Sequence, residues 1–192
     1  MGRRAHISDA DLVAAAGRAC ARLGLGRTTI DAIAKEAGVP VGSVYHRVAS
    51  RSALLAEVWI AAAQGFGAKF LEQLAEAKSL EAAAEVALVT PRFTRGDHAG
   101  GVVLLAHRRD DFLEGAPAPL RTRAGELSSD LQKGITEAAR RLLPGEKRGR
   151  EKLGIALVGV PYGAVRVFLP QATPPAELDV VILAAARAAL AA

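Results

Sequence analysis

The 192-residue chain has one cysteine, Cys20. A single thiol excludes an intramolecular disulfide and fits a reducing compartment. Aromatic residues are scarce, one Trp, two Tyr and five Phe, so any place where they gather stands out from an Ala-rich background. No run of eighteen uncharged apolar residues exists, because Glu57 interrupts the 53–63 stretch and Arg187 the last one. That predicts no membrane span and no membrane partner. The opening Met-Gly-Arg-Arg-Ala-His lacks the apolar core of a secretion signal, so a cytoplasmic location is expected. Also missing are a phosphate-binding glycine loop, a nucleophile elbow and a Cys/His cluster. His98 and His107 are nine apart, half a turn out of phase on one helix, and cannot jointly grip a metal. Asp110, Asp111 and Glu114 adjoin a helix boundary and read as caps or surface. Without a catalytic set, no enzyme, metal or cofactor is expected.

Acidic excess is absent too. Net charge is +5 and unevenly spread: residues 1–55 hold eight Lys/Arg against four Asp/Glu, the remainder seventeen against sixteen. The basic excess lies on the first third, the distribution that attraction to phosphate requires.

That same third carries the most specific pattern. Thr28 with Asp31 fits a capping box, and Ile30, Ile33, Ala34 and Ala37 mark one apolar helix face. Gly38 stands where a helix ends in left-handed conformation, Val39 can plug the core, and Pro40 pre-sets the next helix. Val44 and Val48 face inward; Ser43, Tyr45, His46 and Arg47 are left outward. Two short helices joined by a tight glycine turn, the second with a polar and cationic outer face, form a helix-turn-helix at about 28–47. In the first helix Leu12, Ala16, Cys20 and Leu23 share a face, so Cys20 reads as a small core residue.

Further along, Ser8 with Asp11 caps the first helix, which Gly24-Leu25-Gly26 ends. Ser50 starts a long helix over about 51–74. Ser79 opens a fifth helix that Pro91 kinks or ends, and Asp97 caps a sixth. Leu120, Ala124, Leu127, Leu131, Ile135, Ala138 and Leu142 keep helical spacing through a seventh, broken by Pro144-Gly145. An eighth, over about 153–168, bends near Pro161, and a ninth follows Pro174-Pro175. Val102-Val103 and Val180-Val181-Ile182 are β-branched but have no alternating partners, so both read as buried helix. The expected fold is all-α, about nine helices. Residues 1–50 form a three-helix head and 51–192 a helical body, with the long helix as connector. The last two helices are apolar nearly all round, which predicts that they pack on a second copy as a homodimer.

Gly38-Val39, Gly42-Ser43-Val44-Tyr45, Ser50-Arg51 and Ala53-Leu54-Leu55 resemble the amino-terminal domain of TetR-family transcriptional regulators over roughly residues 6–60. Val48 departs from the usual Phe and Arg51 from the usual Lys. The resemblance implies that the third helix enters the major groove of double-stranded DNA. Residue chemistry agrees: Gly42 allows close backbone approach, Ser43 can bond a base edge, and Val41 can lie on a thymine methyl. Tyr45 and His46 occupy positions the family uses for phosphate and base-edge contacts. Arg47 and Arg51 would clamp phosphate, and Thr28 and Thr29 would donate at a helix start.

The resemblance also implies a small-molecule effector in the body. Trp59, Phe66 and Phe70 form nearly one stripe on the long helix. With Phe93, Leu104 and His107, and with Phe112, Tyr162 and Phe168, they are the candidate lining of an apolar cavity. His107-Arg108-Arg109 could bind an acidic ligand group, but cations near a helix C-terminus more often complement its dipole. The expected function is a dimeric regulator, a repressor released from a palindromic operator by an apolar or amphipathic effector. The alternative is a helical small-molecule-binding or modifying protein whose head no longer reads DNA.

Overall fold

Small polar side chains start the helices where the sequence places them. Ser8 and Asp11 close a reciprocal box, with the Asp11 amide donating to Ser8 Oγ at 3.1 Å. Ser50, Ser79 and Asp97 accept from the amides of Ala53, Ala82 and Gly100, each satisfying an orphan donor of a first turn. The structure, a computed structural model, describes residues 7–192; the opening segment read for a secretion signal lies outside the described residues. Those residues form twelve α-helices and no strand. They are α1 (Asp9–Leu23), α2 (Ile30–Ala37), α3 (Val41–Tyr45), α4 (Arg51–Glu76), α5 (Leu80–Val86) and α6 (Val89–Gly96). There follow α7 (His98–Leu105), α8 (Arg109–Leu113), α9 (Ala118–Leu142), α10 (Gly149–Gly154), α11 (Val160–Arg166) and α12 (Leu178–Ala191).

The excess over the nine expected helices has local causes. A proline ring clashes with the carbonyl four residues back and cannot donate. For Pro91 that carbonyl is on Ala87, so α5 stops at Val86 and Pro91 falls in the first turn of α6. For Pro161 it is on Leu157, inside a π-helical turn (Ile155–Gly159) that joins α10 to α11. The short α8 went unforeseen because its five residues carry no full apolar period.

In the head, α2 packs on α1 and α3 packs on α2, around Leu12, Cys20, Ile33 and Val44, all essentially without exposure. Burial pushes the Cys20 thiol pKa up, keeping it protonated as a core residue. Gly38 takes the left-handed φ of 67° at the turn, which a side chain would resist. Glu36 draws in Arg18 and Arg22, each at 3.1 Å, and so pins α2 to α1. The Arg18 guanidinium, with Arg22 beside it, holds the Glu36 carboxyl below the usual carboxylate range. Two adjacent hydroxyls divide differently from expectation. Thr29, not Thr28, caps α2 by accepting from the Ala32 amide, while Thr28 is fully buried and donates to the Gly24 carbonyl.

α4 joins head to body. Its first half shares one buried cluster with Leu12, Ile33 and Val44 of the head and with Val103 and Phe112 of the body. Its second half, Phe70 and Leu74, belongs to another cluster with Ile135, Leu157 and Ile182. Among the described helices only α4 is long and apolar enough to cross a membrane by composition. It carries Glu57, Lys69, Glu72 and Glu76, and α1, α7, α8 and α9 all pack against it. Arg141 of α9 donates to the carbonyls of Leu74 and Ala77 at its far end. Arg95 of α6 grips Asp179 of α12 through both guanidinium arms, at 3.0 and 2.9 Å. On α12, Ile182, Ala186 and Leu190 point into the core, whereas Val180 and Val181 are 74% and 61% exposed; Ile155 is exposed as well.

Arg51, the first residue of α4, is partly buried. Its Nε donates to the Thr28 carbonyl at 2.6 Å and its Nη2 to the Leu25 carbonyl at 2.7 Å. Two charge-assisted bonds in this setting predict that Arg51→Ala lowers unfolding stability by about 1.5–3 kcal/mol. Urea denaturation should show a lower midpoint with an unchanged m-value; an unchanged midpoint would mean that water replaces the strap at no cost.

Candidate functional site

Two features invite function: the outer face of α3 and a cavity in the body. On α3, Val44 is completely buried and roots the helix in the head core, and Val48 packs beneath it. Gly42, Tyr45, His46 and Arg47 are exposed, and Val41 and Ser43 half-buried. Tyr45 is 65% exposed, the only large aromatic so placed among the described residues. Arg47 Nη1 bonds Asp9 Oδ1 at 2.8 Å, which ties the end of the α3 region to the start of α1.

Two positions expected on this face, Thr28 and Arg51, are held elsewhere. Thr28 is inside the head, its hydroxyl spent on Gly24. Thr29 is exposed at the start of α2, where its oxygen accepts from the Ala32 amide and its O–H stays available to donate. Arg51 turns inward to two carbonyls rather than out toward a phosphate. The face that the structure assembles is therefore Val41, Gly42, Ser43, Tyr45, His46 and Arg47.

The body cavity measures about 280 Å³ and lies between α4, α6, α7, α9 and α11. It brings together Trp59, Phe66, Phe93, Leu104 and Tyr162, residues far apart in sequence. Phe66 organises its wall, tilted against Phe70 with ring centres 5.6 Å apart and edge-on to Phe93 at 5.7 Å. Four expected lining residues are elsewhere. Phe70 and Phe112 are fully buried core and outside the cavity wall. His107 stands edge-on to Phe112 with ring centres 5.8 Å apart, and burial lowers its pKa. Phe168 is half-buried beyond the end of α11 and outside the cavity wall. The sequence reading missed the α9 contribution, Leu127, Ser128, Leu131 and Gln132. Leu127 and Leu131 were visible as a helical stripe, but spacing alone does not separate a residue facing a void from one facing a neighbour.

A second, wider space of about 730 Å³ opens where α1 meets α4, α7 and α9. Arg47, Glu57 and Arg123 are on its walls, and Arg123 bridges to Glu57 at 3.2 Å and to Gln64 at 3.0 Å. The head thus leans on the body across a notch that is only partly filled.

Known proteins agree with this arrangement. Residues 12–58 match the family profile of bacterial regulatory proteins, tetR family. No curated protein matches this sequence. Over whole chains the fold is similar to that of the fatty acid degradation regulator FadR from Bacillus halodurans, with TM-score 0.70, 18% identity, and 99% of this chain and 96% of that one covered. It is also similar to FadR from Bacillus subtilis, solved in complex with stearoyl-CoA, at TM-score 0.65, 18% identity and 96% coverage of both chains. A TetR family transcription regulator from Marinobacter aquaeolei VT8 superposes at TM-score 0.64 with 15% identity and 94% coverage of both. The helix-turn-helix match and the whole-chain fold lead to one conclusion: this chain carries the TetR-family amino-terminal domain on the all-helical fold of TetR-family regulators.

Proposed function

We propose that the protein is a dimeric DNA-binding transcriptional regulator, a repressor that leaves a palindromic operator when a small apolar or amphipathic effector enters the body cavity. In this reading residues 1–50 are the DNA-binding domain and 51–192 the effector-binding and dimerisation domain. The observation that carries it is Tyr45, 65% exposed beside exposed His46 and Gly42 on a helix whose Val44 is fully buried. Folding gains nothing from leaving that ring in water, whereas a groove-facing helix uses it. Ser43 and Val41 are the base-edge candidates, Tyr45 and Arg47 the backbone candidates.

A short helix reads few base pairs, and two read a palindrome when set about 34 Å apart. The exposed Ile155, Val180 and Val181 supply an apolar face for the second copy. The effector class is supported by the nearly all-apolar wall at Trp59, Phe66, Phe93 and Leu104. A relative in fold, FadR from Bacillus subtilis, was solved with stearoyl-CoA, an amphipathic ligand. α4 would carry the response, since it lines the cavity and is strapped to the head through Arg51.

Binding to labelled duplexes should fall steeply with salt. Tyr45→Ala should weaken binding to every duplex, and Ser43→Ala should shift preference at one base pair by about 1–3 kcal/mol. If neither variant alters affinity or selectivity, α3 is not the reader and the head has another role.

Val181→Glu should turn a dimer into a monomer in sedimentation experiments and lose palindrome binding together with it. The neighbouring Ile182 has no exposure, so a charge there tests folding instead. A Val181→Glu protein that stays dimeric would move the interface elsewhere.

Apolar ligands that change Trp59 fluorescence should lower operator affinity, with a coupling of roughly 1–3 kcal/mol that is the same measured from either side. Ligands that bind without altering operator affinity would make the body a dimerisation platform only.

A further inference from the structure

Gln132 stands at one edge of the apolar cavity. That residue also lines an adjoining surface trough of about 330 Å³ with a different character, bounded by Lys133, Thr136, Glu137, Arg140 and Arg150. Helix spacing sets the two spaces along the same rows of residues. On α9, Ser128, Gln132, Thr136 and Arg140 recur every four residues and so share one face. Across the gap, Arg150, Gly154, Val158 and Tyr162 recur at the same interval along α10, the π-turn and α11. α9 and α10 are in contact and connected by a short loop. Ser128 and Tyr162 therefore stand at the apolar end, and Arg140 and Arg150 at the other. At Gly154, between Arg150 and Val158 on that row, a Cβ would meet nothing within 4 Å.

The charges at the two ends differ in how far they are already committed. Arg109 and Arg166 border the apolar end, but Arg109 holds Asp110 and Ser128, both at 3.2 Å, and Arg166 holds the Tyr162 hydroxyl at 2.8 Å. In the trough Lys133 bonds Asp130 at 3.1 Å. Arg140 and Arg150 are exposed and have no side-chain hydrogen bond or ion pair among the described residues. With Glu137 as the one acid, the trough keeps a positive excess. At about 280 Å³ the apolar cavity is at the small end for a ligand site. It accommodates a hydrocarbon chain but not a bulky headgroup as well.

We propose that the effector is a single-chain amphiphile with an anionic headgroup, its chain in the cavity of Trp59 and Phe66 and its headgroup in the trough between Arg140 and Arg150. This rests on the effector-cavity reading above and adds the headgroup site and its charge. Guanidinium groups recognise carboxylate and phosphate alike through paired N–H donors, so either head satisfies the chemistry.

The test compares dodecyl phosphate, dodecanoate and dodecanol below their aggregation concentrations, with Trp59 fluorescence as the readout, on the full-length protein and its Arg140→Ala/Arg150→Ala variant. Both anions should bind about tenfold or more tighter than dodecanol and lose about tenfold in the variant, while dodecanol is unchanged. A preference for dodecyl phosphate points to a phosphate head, a preference for dodecanoate to a free carboxylate. The single variants Arg140→Gln and Arg150→Gln, at exposed positions, should each give part of the loss, and thermal melting checks that the fold is intact. Equal affinity of all three probes, or anion affinity untouched in the variant, overturns the headgroup site while leaving the apolar cavity standing. No response to any probe removes the cavity reading as well.

Discussion

One helix is core to two places at once, and the rest of the molecule is arranged around that demand. The first half of α4 is buried against head residues Leu12, Ile33 and Val44 and also against body residues Val103 and Phe112. Its second half is buried against Ile135 and Leu157. Each fully buried large side chain is worth about 1.5–3 kcal/mol, so neither half can leave its neighbours freely. The helix is also held at both ends by arginines that donate to backbone carbonyls, Arg51 to Leu25 and Thr28, and Arg141 to Leu74 and Ala77. A rod clamped in this way passes a tilt along its length rather than absorbing it in a bend. That constraint makes the proposed control of the head by the body mechanically direct.

Arg51 shows how a single residue changes its meaning with context. In sequence it is a cation at the end of a helix-turn-helix, where phosphate clamps belong. In the fold its guanidinium is aimed inward, at the loop between α1 and α2. The outcome is not lost function but a shift from contact to support: the strap fixes where α2, and through it α3, sits relative to α4. Thr28 belongs to the same arrangement, since its carbonyl accepts from Arg51 while its hydroxyl closes on Gly24.

What was legible in the sequence was whatever one segment decides for itself. Ser8, Ser50, Ser79 and Asp97 cap helices because a side-chain oxygen needs only the next turn. Gly38 ends α2 because its left-handed φ excludes other residues at little remove from the local chain. What stayed hidden depended on partners. Thr28 and Thr29 are chemically alike as caps, and a 3₁₀ turn over Leu25–Arg27 decided which one faced in. Phe66 and Phe70 are four apart on one stripe, yet one borders the cavity and the other is sealed core. That difference is set by which helices cover each position, information that helical period does not hold.

The two proline sites show where the body gives way. Pro91 forces α5 and α6 apart, and the second of these helices carries Phe93 into the cavity wall. Pro161 is met by a π-turn, and just beyond it Tyr162 enters the same wall. Without those breaks each segment would run on as a straight helix packed along its neighbour, and side chains would interdigitate at the density of an ordinary core. The cavity borders both breaks, with Phe93 on α6 and Tyr162 on α11 in its wall and those two helices packed on each other. The helix that must transmit movement is thereby the one left with space beside it. A ligand filling that space meets α4 at Trp59, on the segment whose packing is shared with the head.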